Sequence, residues 1–321
     1  GEEAAAAEEG AVVPEGRRTR AFEDLDLTKP PAFCYTAVDG SAARPSDGKV
    51  KYGPSPAAGK KIAAILSDAQ SRHCWYLTRD CARYALGQNG SPFVNRYFDE
   101  RLQVEDLSDP PPHFEAEVIP AIPDIRNGTF GTCALVGNAD NVLGRGFGPQ
   151  IDAHDFVVRF NVAMKGYEKD VGTRTSGLWV KPNYNTKTPK LSGGQKPDAW
   201  HMLPKEAPKN LKLVDGLPTM VYGRALAVWR KNAREIYDIY KKDQKITSGG
   251  PTGGWARMVS MIESGVCTRV DVYGFSSGGG KYFSRKDDVK NAHVIQVEHY
   301  VRRLLMALEV ESHTPTCIYG D

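Results

Sequence analysis

The chain has 321 residues, 40% hydrophobic and 25% charged, enough apolar material to bury the core of one large domain or two small ones. Its 42 basic and 39 acidic residues are mixed along the chain and leave a net charge of +3, which gives no ground for a nucleic acid or a membrane surface as partner. The chain has no run of about 18 apolar residues, the length a bilayer span demands, and no signal-peptide pattern opens it.

Residues 1–55 begin in Ala/Glu low complexity and continue with scattered Pro and Gly and no periodicity, as expected of a partly disordered stem ahead of a catalytic unit over 56–321. The low-complexity start reads as a trimmed N-terminus, with any membrane anchor lying upstream of it. From Lys60 to Leu86 the spacing of Ile62, Ile65, Leu66, Ala69, Trp75 and Tyr76 predicts helical segments, and a Pro-rich link follows around Asp109 to Pro112. Beyond Gly131 short apolar runs alternate with amphipathic stretches. The runs at 133–137, 156–160, 177–180, 199–203, 219–222 and 270–275 predict strands. Helices are predicted over Leu226–Lys242, Gly253–Ser264 and Val294–Val310, the last with Val294, Val297, Val301, Leu304, Leu305 and Leu308 on one face. This alternation predicts a single Rossmann-like α/β domain with a mostly parallel central sheet flanked by helices.

The segment Cys133–Asn161 reads as strand, Gly-rich turn, short helix and strand, a layout that exposes backbone N–H groups to a phosphate or nucleotide. Gly144, Gly146 and Gly148 lack the GxGxxG spacing and start seven residues beyond the strand, which argues against a dinucleotide oxidoreductase; Glu168 falls near the spacing of a ribose-binding acid. As a whole, from Cys133 through Gly137-Asn138 and Arg159-Phe160-Asn161 to Gly172-Thr173-Arg174-Thr175, the segment resembles the long donor-binding motif of the animal-type sialyltransferases, glycosyltransferase family 29. An algal or plant-like member is the narrower reading. Pro251-Thr252-Gly253-Gly254-Trp255, with Cys267 and Val270–Phe275 behind it, resembles the family's short motif. His293 and Glu298 fit its His-x4-Glu motif.

The resemblance implies a GT-A-like variant of the fold and an inverting transfer of sialic acid from a CMP-activated donor to a glycan hydroxyl, galactose-terminated in most of the family. Asn138 and Asn161 would contact CMP, together with Thr252, Gly253, Gly254 and Ser276. From the residues alone, Thr252 can cap a helix whose first amides stay open as an anion site. His293 would deprotonate the acceptor. It stands before a helix N-terminus, whose dipole disfavours a charged imidazole. Glu298 would orient or support that motif.

Two positions depart from the family pattern. Lys281 stands in the stretch where the family carries a His that steadies the leaving phosphate, and could supply a point charge instead. Lys181 stands where an aromatic residue is usual and could reach a donor carboxylate or phosphate. These changes leave CMP-Kdn and CMP-Kdo open as donors, and a non-catalytic nucleotide-sugar-binding relative open as a second class. A single leaving phosphate and no Asp-x-Asp in a suitable loop imply no metal and no further cofactor; Asp287-Asp288 reads as a solvated turn. His154, His201, His299 and His313 read as structural.

The six cysteines, an even number with no CxxC pair, and the sequons at Asn89 and Asn127 point to an oxidising lumen. The resemblance implies a Cys133–Cys267 disulfide and a Golgi type II membrane protein in the full-length form. Cys34–Cys317 and a local Cys74–Cys81 are the expected remaining pairs.

Overall fold

The strands form where runs of apolar and β-branched residues are short enough to be covered on both faces, as parallel sheets require. In the computed structural model, which describes residues 22–67, 128–160, 164–179, 200–203, 219–221, 227–276, 280–283, 293–308 and 314–320, seven such runs lie in one sheet. They are β1 (Thr132–Val136), β2 (Phe156–Phe160), β3 (Gly177–Trp179), β4 (Trp200–Leu203), β5 (Thr219–Val221), β6 (Arg269–Tyr273) and β7 (Thr316–Tyr319). Their order is β5-β4-β3-β2-β1-β6-β7, with every pairing parallel. Every residue of β2 is buried, and so is every residue of β1 except its first. Six strands match the predicted runs to within a residue or two. The seventh, β7, was not anticipated: its four residues follow a long helical pattern with no amphipathic alternation to announce them.

The helices described are α1 (Pro56–Ser67), α2 (Gly148–Asp152), α3 (Glu168–Val171), α4 (Ala227–Asp243), α5 (Gly253–Glu263) and α6 (Ile295–Ala307). α5 is buried all round from Trp255 to Glu263, and α6 from Val297 to Ala307, so both are interior helices rather than amphipathic covers. α6 therefore carries charge inside. The Arg303 guanidinium, 2% exposed, donates to the carbonyls of Ser46 (2.7 Å) and Asp47 (3.2 Å). The helix pattern read from Lys60 to Leu86 corresponds to α1 as far as Ser67; its remainder lies outside the described residues.

Residues 22–55, expected as stem, pack on the domain. Cys34, Ala37 and Ala43 belong to the same core as the sheet, and the Ser46 N–H donates to the Ile318 carbonyl at 2.7 Å. Cys34 is bonded to Cys317 in β7, and Cys133 in β1 to Cys267 before β6, both as expected. Cys74 and Cys81 lie outside the described residues. Among the described residues no helix is long and apolar enough to cross a membrane.

Candidate active site

From β1 the chain winds through β2, β3, β4 and β5 to one side of the sheet, then returns to place β6 and β7 on the other, so the winding reverses between β1 and β6. Such a reversal leaves a crevice outside the carboxyl ends of the two strands. The chain leaves β1 there at Gly137-Asn138 and leaves β6 there at Gly274-Phe275-Ser276. The two exits touch: Gly137 N–H donates to the Tyr273 carbonyl at 2.7 Å and Ala139 N–H to the Gly274 carbonyl at 2.8 Å. A Cβ on Gly137 would strike the Gly274 carbonyl and lie 2.9 Å from the Phe275 ring. One on Gly274, at φ +69°, would lie 2.7 Å from the Gly137 carbonyl. Gly137→Ala is expected to part these strand ends and destabilise by about 1–3 kcal/mol, as overpacking does. Thermal denaturation would show a lower melting temperature.

Asn138 presents a buried side-chain oxygen with no hydrogen-bond partner among the described residues. An acceptor left so costs about 1–3 kcal/mol, and a ligand donor would remove that cost. Its backbone carbonyl accepts from Tyr282 N–H at 3.0 Å, and Ala139 bridges Lys281 in antiparallel fashion. Tyr282 is fully buried, edge-on to Tyr167 with ring centroids 5.2 Å apart, and so anchors Lys281 beside the β1 exit. The Lys281 ammonium lies 6.0 Å from the Phe283 ring centroid.

The N-terminus of α5 borders the same crevice. Thr252 is its N-cap: Oγ1 accepts from Trp255 N–H at 3.0 Å. Both hydrogens that Thr252 itself offers go to Glu298 of α6, from N–H to Oε1 at 2.6 Å and from the hydroxyl to Oε2 at 2.8 Å. Thr252 thus shapes the turn, and the amides of Gly253 and Gly254, without a partner among the described residues, are left to receive an anion. A Cβ on Gly254 would sit 3.4 Å from the Phe275 ring, which places this helix end against the β6 exit.

His293, two residues before α6, is exposed and pairs in a parallel bridge with Gly250, whose carbonyl lies 3.3 Å from its Nδ1. A carbonyl only accepts, so it fixes the proton on Nδ1 and leaves Nε2 as the basic nitrogen. Below these groups the Arg257 guanidinium of α5 lies over the rings of Trp179 (5.4 Å) and Phe160 (5.7 Å), the residues that end β3 and β2.

Backbone bonds hold Asn138 and Lys281 at the β1 exit, beside the β6 exit that Ser276 follows; Gly254 approaches the Phe275 ring, and His293 is tied to Gly250, two residues before Thr252. Asn161 and Lys181 lie outside the described residues. Three contributors went unnoticed in the sequence: Tyr237, whose hydroxyl donates to Glu298 Oε1 at 2.9 Å; Asn141, whose amide ties the Phe275 carbonyl (2.9 Å) to that of Gly320; and Arg257. Asn141 lies inside the long matched segment without standing out in it, Tyr237 belongs to no motif, and Arg257 offered the one signal, a charge within an apolar run. Among the described residues no cluster of His, Cys, Asp or Glu could hold a metal ion.

His154 is fully buried away from the crevice, its Nδ1 2.9 Å from the Gln150 carbonyl and its Nε2 3.2 Å from Asp271, which Arg269 grips through both nitrogens. His299 is buried beside the Tyr52 ring. Both fit their structural reading. His313 and the His201 side chain lie outside the described residues.

The chain is 53% identical over 55 residues to Sialyltransferase-like protein 2 of Oryza sativa subsp. indica, covering 17% of this chain and 14% of that protein. It is 38% identical over 89 residues to Beta-galactoside alpha-2,6-sialyltransferase 2 of Takifugu rubripes, covering 24% and 17%. It is 29% identical over 156 residues to CMP-N-acetylneuraminate-beta-galactosamide-alpha-2,3-sialyltransferase 2 of Mus musculus, covering 45% and 43%. The matches thus span less than half of each relative. A solved mammalian sialyltransferase aligns with 95% of this chain and 96% of its own at 18% identity, with a TM-score of 0.40. The sequence profile of Glycosyltransferase family 29 (sialyltransferase) matches residues 103–306, a span that holds both strand exits, the α5 cap and His293, and the chain belongs to that family.

Proposed function

We propose that the chain transfers a sialic acid from a CMP-activated donor to a glycan hydroxyl, with a galactose-terminated acceptor as the first choice. What supports this reading is the crevice at the winding reversal, with Asn138 at the β1 exit, its side-chain oxygen without a partner among the described residues, and the α5 N-terminus, with open Gly253 and Gly254 amides, against Phe275 of the β6 exit. In the proposed reaction His293 Nε2 takes the acceptor hydroxyl proton while that oxygen bonds to the anomeric carbon of the sugar. The bond from that carbon to the phosphate oxygen breaks, CMP leaves with its electron pair, and the configuration inverts. The α5 amides and Lys281 face the charge that develops on the phosphate. Asn161 and Lys181 complete the donor site in this reading, the latter toward the sugar carboxylate or the phosphate.

Lys281 and Lys181, which stand where the family carries other residues, favour testing CMP-linked Kdn and Kdo beside the N-acetylated sugar. Two disulfides accord with an oxidising compartment, and the Golgi lumen, reached as a type II membrane protein, is the proposed location. The test is release of CMP from CMP-N-acetylneuraminate, CMP-Kdn and CMP-Kdo with galactose-terminated acceptors and EDTA present. Release from any of them with a new glycosidic bond is expected and names the sugar. CMP binding without release from all three would favour a nucleotide-sugar-binding protein.

A further inference from the structure

The carboxylate of Glu298 is 4% exposed and receives three hydrogen bonds from two other helices: Thr252 N–H and Thr252 hydroxyl at the head of α5, and the Tyr237 hydroxyl of α4. The Thr252 N–H can only donate, and the Thr252 and Tyr237 hydroxyls are placed to donate beside it; three donors together favour an ionised carboxylate, which only accepts. Tyr237 is itself 3% exposed, its ring edge-on to Trp255 with centroids 5.1 Å apart, so its hydroxyl has little freedom to turn elsewhere. Glu298 stands one turn into α6, the helix that His293 precedes. One carboxylate thus locks the open amides of α5 to the helix at whose entrance the candidate base lies.

We infer that Tyr237 is a positioning residue for the donor site, and that protonation of Glu298 releases the α5 N-terminus and weakens its hold on the donor phosphate. The inference rests on the donor-site reading above. Burial pushes the Glu298 carboxyl above its ordinary range, opposed by the hydrogen bonds from Thr252 and Tyr237 and by the charge of Arg302. Of these neighbours the titratable or charged groups are Tyr237 on α4 and Arg302 on α6. Burial and the Glu298 charge hold the Tyr237 hydroxyl well above its usual value, so it stays a donor throughout. The sign follows. A carboxyl raised in the folded state stabilises the fold below its unfolded value and loses that contribution as pH rises through the folded one. Opening the clamp while Glu298 stays buried removes the bonds that favour its charged form, so acid favours the open arrangement without unfolding the protein.

The test is the dissociation constant of CMP against pH, by calorimetry, for the native chain, Tyr237→Phe, Glu298→Gln and His293→Ala, with melting temperatures alongside. CMP's own phosphate titrates identically in all four and cancels in the comparison. Tyr237→Phe removes one bond to the charged form, so its acidic loss of affinity should move up by roughly one pH unit, the size of a hydrogen bond to a charged group. Glu298→Gln should bind weakly at every pH without that extra acidic loss, and His293→Ala should follow the native curve. A Tyr237→Phe curve that superimposes on the native one while Glu298→Gln keeps the acidic loss would overturn the inference. Because CMP binding is read apart from turnover, a chain that fails to transfer sugar but shows these shifts would refute the proposed activity and leave the clamp standing.

Discussion

His293→Ala should lower sugar transfer by about two to four orders of magnitude, the range a positioned general base contributes, while leaving CMP affinity within about twofold. The separation follows from geometry. Nδ1 is spent on the Gly250 carbonyl at 3.3 Å, so the ring contributes its Nε2 and little else. The donor-facing groups, Asn138 and the Gly253 and Gly254 amides, hang on β1 and α5 and do not depend on the His293 side chain. The ring is exposed, so added imidazole has access to the vacated space and should restore part of the rate. Single-turnover release of CMP with saturating donor measures the first effect, and calorimetric titration with CMP the second. An equal fall in both would move His293 from the proton to the donor, and an unchanged rate would remove it from the mechanism.

What the sequence revealed of this site depended on whether local chain carries the information. Asn138 was singled out by the resemblance of its segment to the family's long motif, and the structure sets it two residues past β1. Thr252 was legible as a cap from local sequence, yet its partner was not: that Glu298 consumes both of its donors depends on the approach of α6 to α5, across 46 residues of chain. Tyr237 was hidden more deeply, since a tyrosine at helical spacing in α4 reads as core and its hydroxyl finds Glu298 only in three dimensions. Low complexity with scattered Pro and Gly predicted a partly disordered stem over residues 1–55; within it Cys34, Ala37 and Ala43 are too few to show a periodicity and still reach the core. β7 escaped because it follows the pattern of α6 with no strand–helix alternation to set it apart.

The second large effect concerns the Cys133–Cys267 bridge. Cys133 is the second residue of β1, and Cys267 lies two residues before β6, both at the amino ends of strands whose carboxyl ends frame the crevice. The bridge therefore does not touch the donor site. Its surroundings are already zipped by backbone bonds, Gly128 N–H to the Gly265 carbonyl, Phe130 N–H to that of Val266 and Thr268 N–H to that of Gly131, each within 2.9 Å. Removing it leaves the native contacts largely in place and frees the unfolded chain instead. For a sequence separation of 134 the chain-entropy estimate is about 5 kcal/mol, an upper value when the unfolded state retains structure. The Cys133→Ala/Cys267→Ala double variant should accordingly melt roughly 10 °C or more below the native chain. At a temperature where it remains folded, it should bind CMP with native affinity. Because the entropic cost grows only with the logarithm of loop length, the Cys34→Ala/Cys317→Ala variant, with a separation of 283, should lose an amount within about 1 kcal/mol of the first. Calorimetric melting of both variants with CMP titration below the transition tests this. A Cys133/Cys267 variant that melts normally but binds CMP poorly would show that the bridge sets the geometry of the crevice along the strands rather than the stability of the sheet.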